Sequence, residues 1–186
     1  MKFISLKNWL FEKKQSKKVE YGCVMLYATV PNWKDHISII DKDDIYDDEI
    51  KDFGLEKTPH CTVLWGIHLD ETEPENVKKF ISTFSSIEVT INNISIFPGG
   101  DYDVVKYDVP VTPELLKYRD ALIANFPNTQ TFPDYHPHMT IAYVLHGSGK
   151  KYVKKIKPFK VKFDTIVYSF KGGNKEGKNN IKIKLS

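Results

Sequence analysis

The chain contains the same ten-residue pattern twice, beginning at Pro59 and again at Pro137. Each copy reads proline, histidine, any residue, threonine, two apolar residues and an aromatic residue, with a second histidine eight residues after the first. β-Branched and aromatic residues fill both copies, which is typical of strands. Agreement at so many positions between segments 78 residues apart is hard to obtain by chance. The repeat therefore predicts two related strands that share one function.

Each of these strands carries a histidine and a threonine two residues apart: His60 and Thr62 in the first, His138 and Thr140 in the second. Residues two apart in a strand lie on the same face, about 6.6 Å from each other. Two such strands placed side by side would present two imidazoles and two hydroxyls to a space that suits a phosphate group. The pattern predicts that these four residues are catalytic. The alternative is a pair of core strands whose histidines have only structural hydrogen bonds.

A pair of imidazoles can catalyse phosphodiester cleavage without a metal or another cofactor, and none is predicted here. The ordinary pKa of histidine is about 6.5, so one ring can be neutral while the other is protonated at neutral pH. The neutral ring would remove a proton from the attacking oxygen, and the protonated ring would donate one to the leaving oxygen. The threonine hydroxyls would bind the phosphoryl oxygens. The sequence does not distinguish the base from the acid.

Length and composition predict one globular domain of two fused lobes over residues 20–186, preceded by an N-terminal extension over residues 1–19. At 41% apolar content the 186 residues can bury a real core. Cys23 and Cys61 lie in apolar runs, which indicates reduced core cysteines of a cytoplasmic protein. No apolar run is long enough to span a membrane, and a net charge of +3 is too small to indicate binding of duplex nucleic acid.

Periodicity predicts alternating groups of strands and helices along the chain. We expect strands at residues 21–30, 88–97, 102–109, 156–170 and 181–185 besides the two motif strands, helices at residues 74–85 and 113–126, a long acidic loop at residues 32–57, a mobile segment at residues 128–135 and a turn at residues 172–174. In this order the elements fit two related halves, with one motif strand in each.

The paired motifs resemble the signature of the two-histidine (2H) phosphoesterases, which consists of two His-x-Thr/Ser motifs on central strands. The resemblance covers about residues 20–170, and His60, Thr62, His138 and Thr140 match it without substitution. It implies an α+β class: a two-lobed, pseudo-symmetric fold with antiparallel sheets around a central cleft and helices outside. It also implies that the four matching residues catalyse phosphoester chemistry.

A narrower resemblance links residues 21–27 and 54–60 to the phage anti-CBASS phosphodiesterases. Those enzymes degrade the cyclic oligonucleotides that bacteria use as antiviral signals. The resemblance implies that the chain hydrolyses 3′–5′ bonds of cyclic di- and trinucleotides in the host cytoplasm and so helps a phage evade immunity. On such a linkage the nearest nucleophile is the neighbouring ribose 2′-OH, and its attack would give a 2′,3′-cyclic phosphate.

Four further residues are candidates for substrate binding. Aromatic faces stack on nucleobases, and Tyr27 is the first choice because it lies on the strand most similar to the phage enzymes. Phe97 and Tyr102 flank a Pro-Gly-Gly turn and come next. Glu176 could accept a hydrogen bond from the amino edge of a purine. Core packing for the rings, and a solvated loop for the carboxylate, are the alternatives.

Several alternatives remain open at this stage. The motif would equally suit an RNA-end enzyme, either a 2′,3′-cyclic phosphodiesterase or a 2′–5′ RNA ligase, and a protein that binds cyclic nucleotides without cleaving them. His136 and His138 together could indicate a metal site. Lysines at 150, 151, 154 and 155 form either a solvated face or a positive rim that attracts anionic substrate. Residues 2–18 form either a docking or homo-oligomerisation arm or a frayed extension.

Overall fold

The computed structural model describes residues 20–47, 53–130, 134–170 and 180–186. The predicted extension at residues 1–19 and the predicted turn at residues 172–174 lie outside them. The strands are β1 (Tyr21–Ala28), β2 (His60–His68), β3 (Ile87–Phe97), β4 (Tyr102–Asp108), β5 (His138–Leu145), β6 (Lys154–Ser169) and β7 (Ile181–Lys184). The helices are α1 (Trp33–Ile37), α2 (Pro74–Ile81) and α3 (Pro113–Asn125), with 3₁₀ turns at Lys42–Asp44 and Ser148–Tyr152.

Within the described residues, the strands form one antiparallel sheet in the order β2-β1-β6-β3-β4-β5, with β7 also paired to β6. The long strand β6 joins the two halves, because its residue Phe163 pairs with Ala28 of β1 on one side and with Ile87 of β3 on the other. The expected antiparallel sheets are thus a single continuous sheet. The α+β class and the two related halves are confirmed.

The two motif strands, β2 and β5, stand at opposite ends of this strand order but approach each other in space. The sheet is therefore curved, as a twisted sheet of this size can be, and its two end strands face a common cleft. Among the strands that the structure describes, each motif strand has one neighbour in the sheet, and its other edge needs separate cover.

The segment that precedes β2 covers the outer edge of β5. Backbone hydrogen bonds run from Tyr46 N to Tyr143 O and from Tyr143 N to Gly54 O, at 3.0 and 2.9 Å. Residues 32–57 are predicted from sequence to form a loop with one helical turn, and their described part contains the short helix α1 and a 3₁₀ turn. The described residues of this segment thus have a defined course, because they satisfy the free edge of a strand.

The segment that precedes β5 covers the outer edge of β2 in the same way. Thr129 N donates to Gly66 O at 2.9 Å, and His68 N donates to Pro127 O at 2.9 Å. Gly66 has a φ of +98°, and a Cβ atom there would lie 2.1 Å from the Thr129 carbonyl oxygen, so only glycine permits this approach. Residues 128 and 129 of the segment predicted to be mobile thus lie along the edge of β2, and residues 131–133 are not described.

The helices begin where their sequence signals place them. The Thr112 hydroxyl accepts a hydrogen bond from Leu115 N at 3.2 Å, and proline occupies the first turn of α3, as is typical of helix starts. Helix α2 ends at Ile81, four residues before the predicted end. Phe84 still reaches the core, where it stacks on Tyr118 at 4.0 Å between ring centroids.

The core lies between the sheet and these helices. It contains the motif-strand residues whose side chains point away from the cleft. Cys61 and Met139, each between a motif histidine and a motif threonine, are fully buried. Cys23 and Cys61 are free and buried, in agreement with the expectation of reduced core cysteines. Among the described residues, no helix combines the length and the apolar character that a membrane crossing requires.

Candidate active site

Both motif strands begin with their histidine, and both histidines are held in the same way. His60 Nδ1 donates to the carbonyl oxygen of Thr58 at 2.9 Å, and His138 Nδ1 donates to that of His136 at 2.8 Å. A carbonyl oxygen can only accept, so Nδ1 must carry the hydrogen. In each ring, Nε2 is then the nitrogen that can exchange a proton with a substrate.

Each motif strand contains one extra residue directly after its threonine. The residue without a partner in the neighbouring strand is Val63 in β2 and Ile141 in β5. Such a bulge shifts the alternation of side chains by one position. Trp65 and Tyr143 consequently lie on the same face as the histidine and threonine, although their spacing in a regular strand would put them on the opposite face. The bulges explain why two apolar residues separate threonine and aromatic residue in both copies.

The cleft between the two halves contains a cavity of about 860 Å³. This volume lies within the range of small-molecule sites, about 300–1,000 Å³, and far exceeds the volume of one phosphate group. Its walls include both motif threonines and one motif histidine, five aromatic residues and one arginine: Thr62, Thr140, His138, Trp65, Phe97, Tyr102, Tyr135, Tyr143 and Arg119.

The residues predicted from sequence fall into three groups. Thr62, His138, Thr140, Phe97 and Tyr102 line the cavity. His60 and Tyr27 are not among its lining residues but lie beside it: His60 is two residues before Thr62 in β2, and the rings of Tyr27 and His60 have centroids 5.5 Å apart. Glu176 lies outside the described residues.

Contacts between β2 and β5 hold the two motifs together at this cleft. Tyr135 Oη donates to the carbonyl oxygen of Thr62 at 3.1 Å. Strands β2 and β5 also pack against each other, and the positive charge of His60 lowers the pKa of His138. The two histidines are therefore close enough to influence each other.

A buried lysine lies behind the second motif. Lys106 is 5% exposed, and its Nζ donates to Asp108 Oδ1 at 2.6 Å and to Ser95 Oγ at 2.7 Å. In the sheet, Lys106 pairs with Thr140 and Asp108 pairs with His138. Lys106 Nζ also lies 4.2 Å from the centroid of the Phe97 ring, so a positive charge and its counter-ion stand beside the motif residues of β5.

The surroundings of His138 favour its neutral form. Burial lowers its pKa most, and the positive charges of Lys106 and His60 lower it further. The hydrogen bond to the His136 carbonyl and the charge of Asp108 act in the opposite direction but do not reverse the shift. At neutral pH His138 is therefore an uncharged ring that can accept a proton at Nε2.

The second histidine of each repeat does not belong to the cavity. His68 bonds to Glu71 Oε1 through Nδ1 and to Thr129 Oγ1 through Nε2, both at 2.8 Å, and so holds the segment that covers β2. The side chain of His146 is 62% exposed and lies 3.8 Å from Asp103. These two positions repeat in sequence, but their roles differ and are structural.

The predicted alternatives at the edge of the site gain no support from the described residues. Lys151 pairs with Asp41 and Asp44 at 2.6 and 2.8 Å, and lysines 150, 151, 154 and 155 do not line the cavity, which favours the solvated face. Within the described ranges, no cluster of three or more His, Cys, Asp or Glu residues could hold a metal ion.

Sequence reasoning missed several residues of the site. Lys106 is the one charged residue between apolar neighbours in the middle of β4, and this interruption of an apolar run was the signal available. Trp65 and Tyr143 were visible as repeated aromatics, but only the bulges reveal which face they occupy. Arg119 and Tyr135 belong to no motif or periodic pattern, and tertiary packing alone brings them to the cavity.

The fold and the paired His-x-Thr strands define the two-histidine phosphoesterase class. The chain belongs to the 2'-5' RNA ligase superfamily, whose family model matches residues 58–168. The fold is also that of solved structures with little sequence identity. E. coli LigT complexed with 3'-AMP has a TM-score of 0.52 at 12% identity, over 91% of this chain and 97% of that one.

Two further solved structures share this fold. E. coli LigT complexed with NADP+ has a TM-score of 0.51 at 11% identity and covers 91% of this chain and 96% of its own. A structure described as a phosphoesterase has a TM-score of 0.50 at 12% identity and covers 90% of this chain and 96% of its own. A comparison with curated protein sequences finds no match.

Proposed function

We propose that the protein is a metal-independent phosphodiesterase that cleaves nucleotide phosphodiester bonds, with His138 as the initial base and His60 as the initial acid. The observation that carries this proposal is the matched pair of hydrogen bonds from His60 Nδ1 and His138 Nδ1 to carbonyl oxygens. These bonds leave both Nε2 atoms for proton transfer beside a cavity that contains both motif threonines. The buried, charge-flanked position of His138 supports its assignment as the base.

In the first step, His138 Nε2 accepts the proton of a ribose 2′-OH. The 2′ oxygen then bonds to phosphorus, the bond from phosphorus to the 5′ oxygen breaks, and His60 Nε2 donates its proton to that leaving oxygen. The products are a 2′,3′-cyclic phosphate and a 5′-hydroxyl. In a second step the roles are exchanged: His60 accepts a proton from water, the water oxygen bonds to phosphorus, and the bond from phosphorus to the 2′ oxygen breaks. His138 returns its proton to that oxygen, and the product is a 3′-phosphate.

The two threonines stabilise the negative charge that grows on the phosphoryl oxygens. Their hydroxyls donate to those oxygens from opposite sides of the cleft, and loss of one donor of this kind costs about 10²- to 10³-fold in rate. A β-branched side chain restricts rotation about χ1. Thr140 is 7% exposed, so packing restricts its hydroxyl further.

For the substrate we propose a cyclic di- or trinucleotide with a 3′–5′ bond. The cavity of about 860 Å³ has room for nucleosides on both sides of the cleaved phosphate, and its aromatic residues suit base stacking. Trp65, with 48% of its surface exposed, offers a stacking face from β2, and Phe97 and Tyr102 offer others. Tyr27 beside His60, and Glu176, remain proposed contacts.

The similarity of residues 21–27 and 54–60 to phage anti-CBASS enzymes supports a role in removing such signals from an infected bacterium's cytoplasm. A second candidate is cleavage or joining at RNA ends. The match to the 2'-5' RNA ligase superfamily favours it, and the E. coli LigT structure holds 3'-AMP, which is the kind of product that opening a 2′,3′-cyclic end would give. Both candidates use the same four motif residues.

Substrate profiling tests the proposal and separates the candidates. The purified protein, with EDTA present, would be incubated with cyclic di- and trinucleotides and with RNAs ending in 2′,3′-cyclic phosphate, and the products identified by mass spectrometry. We expect cleavage of at least one cyclic oligonucleotide, with loss of turnover in the variants His60→Asn and His138→Asn. His146→Asn is the matched control, because that histidine is exposed and outside the cavity.

Other results would point elsewhere. Cleavage confined to RNA ends would replace the cyclic substrate with the second candidate. Tight binding of a cyclic nucleotide without any product would favour a sequestering protein. Activity that EDTA abolishes and Zn²⁺ or Mn²⁺ restores would overturn the metal-independent mechanism.

A further inference from the structure

Arg119 is the only arginine in the chain, among 27 lysine and arginine residues. Every other basic side chain is a lysine, and most described lysines are exposed on the surface. The single arginine lies on α3 and lines the cavity together with Thr62, His138 and Thr140. Its position separates it from the general surface charge of the molecule.

Packing holds the Arg119 side chain in a defined position. Only 16% of the side chain is exposed. Its guanidinium carbon lies 4.9 Å from the centroid of the Tyr135 ring, and Nη2 donates to Gln130 Oε1 at 2.7 Å. The nearest carboxylate among the described residues, that of Asp120, is 3.9 Å away, which is too far for a hydrogen bond. Stacking and one hydrogen bond therefore orient the guanidinium, and its ion pair with Asp120 is long and involves a carboxylate that is 70% exposed.

The same tyrosine connects Arg119 to the first motif. The Tyr135 ring carries the guanidinium on its face, and its hydroxyl bonds to the backbone carbonyl of Thr62. The cation therefore stands about one tyrosine ring away from the strand that supplies His60 and Thr62. Among the described residues its hydrogen-bond partner is Gln130 and not a motif side chain, so the guanidinium is placed for a different group of the substrate.

The chemistry of arginine points to a second phosphate. A guanidinium has five N–H donors in a rigid fork that matches the oxygens of a phosphate. Stacking on an aromatic ring leaves those donors available, because they point outward in the plane of the guanidinium. Gln130 is the only hydrogen-bond acceptor that they have in the described part of the chain. Asp101 and Asp134 line the same cavity, so the wall does not attract anions in general and the recognition must be local.

We propose that Arg119 binds a phosphate of the substrate other than the one that is cleaved. This inference rests on the proposed function and narrows the substrate to nucleotides that carry at least two phosphates, such as cyclic dinucleotides. A nucleotide with a single phosphate would occupy the motif and leave Arg119 without an anionic partner.

Equilibrium binding of two simple probes tests the proposal independently of turnover. The probes are 3′-AMP, with one phosphate, and adenosine 3′,5′-bisphosphate, with two, measured by titration calorimetry. A hydrogen-bonded pair of charges contributes about 1.5–3 kcal/mol, so we expect wild-type protein to bind the bisphosphate about 10- to 100-fold more tightly than 3′-AMP. In Arg119→Met this preference should disappear, while affinity for 3′-AMP stays unchanged.

The matched control is Lys117→Met, which removes the same charge from an exposed position on α3, outside the cavity. It should keep the preference of the wild type. Arg119→Lys retains the charge but not the fork, and it should recover part of the preference. Thermal melting of each variant shows whether it is folded.

The proposal is overturned if wild-type protein binds both probes equally, if Arg119→Met keeps the preference, or if that variant weakens both probes to the same extent. A parallel measurement of kcat/KM would use adenosine 2′,3′-cyclic phosphate with and without a 5′-phosphate and cyclic dinucleotides. If wild-type protein cleaves none of these, the proposed phosphodiesterase function fails, and the binding comparison still decides the role of Arg119.

Discussion

The two halves of the molecule present their motifs in the same way but surround them with different residues. In each half the histidine is the first residue of its strand, bonds to the carbonyl two residues earlier and precedes a threonine and a bulge. Beside β2, however, the neighbouring strand places Met25 next to Thr62 and Tyr27 next to His60. Beside β5, the equivalent positions hold the ion pair of Lys106 and Asp108.

This difference would let a duplicated framework supply the two unlike catalytic groups of the proposed mechanism. The shared backbone features fix where each Nε2 points, and a proton donor and a proton acceptor need the same placement relative to a phosphate. Their protonation must nevertheless differ at the start of the reaction. A charge pair next to only one of two equivalent histidines provides that difference without changing the geometry of either strand.

The largest expected effect comes from removing either histidine. His60→Asn and His138→Asn should each lower kcat by about 10²- to 10⁴-fold on a natural phosphodiester, measured with EDTA present. The two variants should differ on a nucleoside 3′-aryl phosphate, because an aryl leaving group needs no proton. His60→Asn should then recover most of its activity, and His138→Asn should not. Recovery of His138→Asn alone would reverse the assigned roles.

The motif residues and the two related halves could be predicted from sequence because the signal is local and repeated. The spacing of proline, histidine and threonine specifies a strand face without knowledge of the rest of the fold. Thr112 followed by Pro113 likewise marks the start of α3 through interactions within one turn. The helical spacing of apolar residues up to Phe84 predicted an end of α2 that is too late. Phe84 is buried although it lies beyond the end of the helix.

The second-largest effect is expected at the two threonines. Because the two halves present them in the same way, the two variants should lose the same factor in kcat. Thr62→Val and Thr140→Val each remove one hydroxyl donor while keeping shape and branching, and each should lower kcat by about 10²- to 10³-fold with little change in KM. Steady-state kinetics on the same substrate checks this. Thr140 is buried, and valine has nearly the same shape and suits an apolar wall. Thr140→Val should therefore be as stable as the wild type. A loss in only one variant would show that one half alone binds the phosphoryl oxygens.

Two aromatic residues, placed equivalently by the bulges, should contribute unequally to stability. Trp65→Ala should raise KM about 5- to 150-fold, the equivalent of 1–3 kcal/mol of base stacking, without lowering the melting temperature, because Trp65 is half exposed. Tyr143→Ala should also lower the melting temperature, since its ring stacks on Phe53 at 4.4 Å. Kinetics and calorimetry on both variants test this. An unchanged KM in Trp65→Ala would remove this tryptophan from the substrate site.

Features that depend on long-range register could not be predicted. Whether Trp65 faces the cleft depends on a bulge that exists only opposite β1, and the partners of Lys106 come from strand pairings between residues up to 34 positions apart. The cover of each motif strand comes from the segment that precedes the other one. The sequences of these covering segments show no helical or strand periodicity, because hydrogen bonds to the free edge of a distant strand determine their conformation.

The smallest effect is a shift in pH dependence, and it tests the difference between the halves directly. The base must be neutral, so kcat/KM falls when the pH drops through the pKa of His138. Burial and the charge of Lys106 lower that pKa, so the wild-type enzyme should stay active at pH values below the ordinary range of histidine. In Lys106→Met the positive charge is lost, and the negative charge of Asp108 is no longer offset. Both effects raise the pKa of His138.

The acidic limb of the profile for Lys106→Met should therefore move to higher pH. Asp108→Asn removes the charge that opposes the shift, so its acidic limb should move to lower pH. Lys106→Arg keeps the positive charge and serves as the control with an unmoved limb. The other groups that face His138 are His60 and the His136 carbonyl, and none of these variants alters them. A general loss of stability would lower activity at every pH without moving either limb, whereas opposite displacements for the two partners of one ion pair require an electrostatic effect on His138.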